Sequence, residues 1–137
     1  MTRAEDFLKQ AKLYSDGNDY LMVSLPPQAI MVAAGILAEI GDPFGAVIAD
    51  KDEVTLIMPA EVYEEFQTRM PTAKPSLPMR LITLDIELPP DLIGFMALVA
   101  QKLADAGIPI IPLGAFQRDH VLVPADRFED AWKALGG

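Results

Sequence analysis

Leu81, Thr83, Asp85 and Glu87 alternate with Ile82, Leu84, Ile86 and Leu88, a period of two that predicts a half-buried strand. Pro89 and Pro90 stop it, because neither has an amide hydrogen for a ladder. Leu92, Phe95, Met96, Val99 and Leu103 then recur at three- and four-residue spacing, which predicts a helix over Asp91–Ala106 with one apolar stripe. Gly107 stands where a left-handed residue ends a helix. Two strands follow, Ile108–Phe116 and His120–Val123, joined by a polar turn. Pro124-Ala125-Asp126 opens a second helix to Leu135, with proline in its first turn and an acid at its positive end.

The same order is written earlier in the chain. SLPPQAI from Ser24 matches ELPPDLI from Glu87, and Leu25 and Leu88 lie 88 − 25 = 63 residues apart. Strand Tyr20–Leu25, helix Gln28–Ile40, strands Phe44–Ala49 and Val54–Met58, and helix Ala60–Met70 repeat the pattern, with Gly41 matching Gly107 and Pro43 matching Pro109. In-order correspondence of this kind indicates a tandem duplication. Each copy is βαββα. Residues 1–17 form an N-terminal arm with an amphipathic stretch at Phe7, Leu8, Ala11 and Leu13. Repeat 1 spans 18–70, and repeat 2 spans 79–137. Pro71, Pro75 and Pro78 make 71–78 a stiff linker, closed to helix and to central strand.

Composition narrows the function. The chain has 137 residues, half of them hydrophobic, enough for one ordinary domain or two small ones. A net charge of −9 argues against nucleic acid, whose affinity comes from Lys and Arg on phosphates. No apolar run approaches the roughly 18 residues of a membrane span, and MTRAEDFLKQ does not read as a secretion signal. Without cysteine and with one histidine, no metal or organic cofactor is expected. Cytoplasm is the expected compartment.

Candidate chemistry is sparse. Asp50, Asp52 and Glu53 lack the spacing of a calcium loop and read as a solvated turn. His120, beside Asp119, has no serine, cysteine or paired carboxylate placed to work with it, so no catalytic residue is assigned. Met22, Met31, Met58, Met79 and Met96 read as core filler. Gly94 draws attention because glycine within a helix costs roughly 1 kcal/mol against alanine. Either it lets a ligand approach free first-turn amides, which suit a carboxylate, or it permits close packing while Asp91 caps the helix.

The βαββα order, with Asp91 and Gly94 in PPDLIGFMALVAQKLADAGIPI, resembles the ACT domain. LVAQKLADAGIPIIPLGAFQRDHVLVP from Leu98 is similar to tandem ACT proteins related to aspartate kinase regulatory regions and the CASTOR arginine sensors. The resemblance runs from Tyr20 to Leu135 and is strongest over Met79–Asp126. It implies an α+β fold of two tandem ferredoxin-like repeats, their antiparallel sheets covered by helices on one face. It implies a non-enzymatic regulator that binds an amino acid at Pro90, Asp91, Leu92, Ile93, Gly94 and Phe95. Ile108, Pro109 and Ile110, at the start of the second strand, would also bind the ligand, which in ACT pairs sits between this corner and that strand of an adjoining unit. Asp91 would pair with the ammonium group. The competing class is an interaction module with a vestigial pocket that dimerises through open sheet edges.

This chain departs from the family pattern in three ways. Neither copy shows a fourth strand after its second helix, so the other copy, the N-terminal strand or a second chain must cover that edge. Met31 and Gln28 replace the glycine and the acid in repeat 1, so the resemblance carries no site over to that copy and leaves open whether it has one. A homodimer is the expected assembly.

Overall fold

A computed structural model describes residues 2–137. Along the chain lie α1 (Arg3–Gln10), β1 (Lys12–Tyr14), β2 (Asp19–Leu25), α2 (Ile30–Ile40), β3 (Ala46–Ala49), β4 (Val54–Pro59), α3 (Tyr63–Phe66) and β5 (Lys74–Pro75). Then follow β6 (Met79–Asp85), α4 (Phe95–Asp105), β7 (Ile111–Gly114), β8 (Asp119–Pro124) and α5 (Phe128–Ala134). The chain divides into two compact units. One is contiguous, Asn18–Pro78; the other joins residues 1–17 to Met79–Gly137.

In the contiguous unit β2 pairs antiparallel with β4, β4 with β3, and β5 with Val23–Ser24 of β2. The order β5-β2-β4-β3 is that of a βαββαβ unit. Leu21, Val23, Leu25, Leu56 and Met58 meet Ala33, Ile36 and Phe66 in one apolar core. Gly41, at φ 75°, ends α2, and its amide bonds to the Leu37 carbonyl.

The segment 71–78 is therefore more than a linker. Lys74 and Pro75 form an edge strand, and the Ser76 amide donates to the Met22 carbonyl at 2.8 Å. Proline is excluded from central strands, but an edge has ladder positions that need no donor.

In the other unit β6 is flanked by β8 and by β1, and β7 lies outside β8. The N-terminal arm supplies the strand missing after α5: Leu13 sits opposite Leu84, and Tyr14 opposite Thr83. Thr2 starts α1 with a reciprocal cap, its hydroxyl accepting from the Glu5 amide at 3.1 Å while Glu5 Oε1 accepts from Thr2. Ile82, Leu84, Val121 and Val123 pack on Phe95, Val99, Leu103 and Ala131, with Leu8 of α1 joining them.

Three expectations need correction in this unit. The strand ends at Asp85 rather than Leu88, and its alternation fails because Leu81, Ile82, Thr83 and Leu84 are all buried. Both faces are covered, and the Thr83 hydroxyl is satisfied by Nδ1 of His120 at 2.8 Å. The strand predicted from Ile108 starts only at Ile111, since the Ile108 amide turns back to the Leu103 carbonyl. The helix predicted from Asp91 starts at Phe95. Asp91 does not cap it; Gly94 holds the N-cap position at φ 81°, ψ 12°. Pro89 and Pro90 keep the preceding corner out of helical pairing, and the left-handed glycine turns the chain into the helix.

Candidate ligand cleft

The corner between β6 and α4 is shaped by a few backbone bonds. The Ile86 amide turns back to the Leu84 carbonyl, and the Leu92 amide reaches the Pro89 carbonyl at 3.1 Å. Between them the Leu88 amide donates to the Gln117 carbonyl at 2.6 Å, which fastens the corner to the β7–β8 hairpin. The hairpin closes on itself through the Ala115 amide and the Arg118 carbonyl at 2.9 Å.

Corner, helix start and hairpin enclose a cleft of about 440 Å³. One wall is Gly94, Phe95, Met96 and Ala97; the opposite wall is Ala115 to Asp119; Leu88, Pro89, Pro90 and Leu92 close the end. No side chain caps α4, so its first-turn amides meet the cleft without a competing acceptor from a cap. An ideal Cβ built on Gly94 would touch nothing within 4 Å, so this glycine opens space beside those amides and does not serve close packing. Arg118 is the cation lining the cleft. Its buried Nε has no hydrogen-bond partner, and the nearest carboxylate oxygen, Asp85 Oδ1, lies at 3.5 Å, an ion-pair distance without hydrogen-bond geometry.

Asp119, the acid lining this cleft, has its pKa raised by burial, with His120 opposing. The His120 pKa is lowered, chiefly by burial and further by Arg118, against the pull of Asp119. Successive strand residues face opposite ways, so His120 turns from the cleft side to meet Thr83.

Of the nine expected ligand residues, Pro90, Leu92, Gly94 and Phe95 line the cleft. Asp91 does not; its carboxylate is exposed and pairs with Arg3 at 3.4 Å. Ile93 is 88% exposed and points away from the core. Ile108 is buried in the core, Ile110 packs against it, and exposed Pro109 lies between them, so none of the three reaches the cleft. Arg118 and Asp119 were missed. Their sequence signal was only a polar turn, QRD, whose position opposite α4 depends on the β7–β8 register.

The contiguous unit has a depression of about 440 Å³ at the end of β2, lined by Ser24, Leu25, Pro26, Asp52, Glu53, Thr72 and Lys74, with no residue of the α2 start in it. Two carboxylates, one accepting from the Ser24 hydroxyl at 3.2 Å, outnumber its one cation, Lys74, which disfavours an anion there. Among the described residues, no group of three or more His, Cys, Asp or Glu is arranged to hold a metal ion. No helix among them is long and apolar enough to cross a membrane.

Residues 77–136 match the ACT domain family model. The cleft lies wholly within that segment. Across 98% of this chain and 94% of the other, the fold is similar to that of a Vibrio cholerae protein of unknown function described as a possible transport protein, at 24% identity and a TM-score of 0.73. An Agrobacterium tumefaciens protein aligns over 86% of this chain and 81% of its own, at 21% identity and a TM-score of 0.67. The regulatory subunit of aspartate kinase from Thermus flavus aligns over 91% of this chain and 95% of its own, at 16% identity and a TM-score of 0.68. At these identities the likeness is one of fold. No curated protein sequence matches the chain.

Proposed function

We propose that the chain is a non-catalytic regulatory protein of two ACT-like units that binds an amino acid in the α4 cleft. The observation that carries this reading is the pairing of uncapped α4 amides with Arg118 across one cleft. Amides at a helix start, with the positive end of its dipole, hold a carboxylate, and a guanidinium adds a charge-assisted bond. Asp119, not Asp91, is the acid placed to receive the ammonium group. Leu88, Leu92 and Met96 offer the side chain an apolar surface. The same ligand is not expected in the first unit, whose depression holds Asp52 and Glu53 and no helix-start amides.

Readout would pass through association, since a binding module without catalytic groups must act on a partner or on its own oligomeric state. Met31, 81% exposed on α2, and the half-exposed Ile30 and Val32 beside it favour a homodimer, which sedimentation at micromolar concentration tests. A cytoplasmic setting suits a chain free of cysteine.

A thermal-shift screen of the twenty amino acids tests the binding. A ligand at 100 times its dissociation constant stabilises the native state by about 2.7 kcal/mol. One or a few amino acids should raise the melting temperature, and Arg118→Gln should abolish the rise without lowering the ligand-free value much. Twenty null results, or a rise that survives Arg118→Gln, would overturn the assignment.

A further inference from the structure

A second concavity in the unit formed by 1–17 and 79–137 has a different chemistry. It is a groove of about 720 Å³ between α1, β1, α4 and the end of α5. Its apolar lining comes from Leu8, Leu98, Trp132 and Leu135, and its rim from Lys9, Lys12 and Lys102. The arrangement follows from spacing: Lys102 lies one turn beyond Leu98 on α4, on the same face, and Lys9 follows Leu8 on α1.

Charge makes the groove unusual for this chain. Acids outnumber bases 20 to 11, yet three lysines converge here. Glu5 is the carboxylate side chain among the lining residues, and its Oε1 is engaged by Thr2 in the α1 cap. Among the described residues, none of the three lysines forms an ion pair. A mostly apolar concavity with a few convergent charges, of a volume within the range of small-molecule sites, is the usual form of a ligand pocket.

We propose that this groove binds a small amphipathic anion, a carboxylate carried on an aliphatic or aryl body. The apolar body would lie along Leu8, Leu98 and Leu135 against the Trp132 ring, and the head would meet the lysine ammonium groups. Lysines suit this task because their stems cover apolar surface while the charge stays at the rim. The site is separate from the α4 cleft, whose lining shares no residue with it.

Trp132 is the sole tryptophan in the chain, so its emission reports on the groove directly. Octanoate, titrated below its micelle concentration, should give saturable binding by calorimetry and a matching shift in Trp132 emission. 1-Octanol, with the same body and no charge, should bind several-fold more weakly. Replacing two exposed lysines together, Lys9→Gln with Lys102→Gln, should weaken octanoate roughly three- to tenfold, given the worth of exposed ion pairs, and leave octanol unchanged. Arg118→Gln should leave octanoate binding as it was. Equal affinity for octanoate and octanol, heat without a Trp132 response, or no saturable binding would each overturn the proposal.

Discussion

Gly94 supports opposite expectations depending on where α4 begins. If the helix ran from Asp91, Gly94 would be a helical residue, and Gly94→Ala would stabilise the protein by about 1 kcal/mol through helix propensity. In the structure it precedes the helix at φ 81°, ψ 12°. An L-residue there costs roughly 1–2 kcal/mol, and the reduced freedom of the unfolded chain returns about 0.4–1 kcal/mol. No clash adds to this, because the space around the position is open. The net expectation is a loss of about 1 kcal/mol for alanine, or about 4 °C in melting temperature for a chain of this size. Asparagine, which tolerates the left-handed region through local hydrogen bonds, should lose less than alanine. Valine, branched at Cβ, should lose about 2–3 kcal/mol. Urea denaturation of the parent and the three variants measures all of this. A Gly94→Ala protein more stable than the parent would refute the left-handed start and return the residue to the helix.

Thr2→Ala removes the hydroxyl that accepts from the Glu5 amide, while the backbone amide of residue 2 can still donate to Glu5; the change should cost about 1 kcal/mol, seen as faster amide exchange over Arg3–Gln10 and a lower urea midpoint. Asp91→Asn should change stability by less than about 1 kcal/mol, since its pair with Arg3 is exposed, and calorimetry should find amino-acid affinity unchanged. His120 gives the fold a pH dependence whose sign follows from its lowered pKa. As pH falls below the ordinary 6.5, the unfolded chain takes up the proton first, so stability complete above that value drains away beneath it. Urea midpoints at pH 7.5 and 5.5 should therefore differ more for the parent than for His120→Gln. The raised pKa of Asp119 acts in the opposite sense at lower pH, its contribution being fully present only below 3.8.

Elements whose periodicity is continuous were legible from sequence. The stripe of Phe95, Val99 and Leu103 is buried as its spacing requires, and Gly41 and Gly107 both adopt positive φ at helix ends. Strands β1 and β5 were not legible as strands, because segments of three and two residues carry no period. Their existence depends on the edges of β6 and β2, distant in sequence, and the prolines around Lys74 signal only what cannot form. At the site, Gly94 stands out because a glycine read inside a helix carries a propensity cost that calls for a reason. Arg118 does not, since a basic residue in a hairpin turn is ordinary until the register sets it across from an uncapped helix.

The strand borrowed from the N-terminus shapes how the chain can fold. Leu13 meets Leu84 across 84 − 13 = 71 residues, whereas the pairings of β2 with β4 and β5, and of β3 with β4, close within Asn18–Pro78. Long loops close at an entropic cost that grows with the logarithm of their length, and distant pairings form slowly. Folding of 18–78 first would shorten the effective loop, so residues 1–17, made before that unit, would be among the last to find their place. Until β6 emerges, Leu8 and Leu13 have no core to enter. Joining Gly137 to the arm through a short linker and opening the chain between Pro78 and Met79 would make both units contiguous. Such a permuted chain should form the β1–β6 pairing faster than the natural order allows.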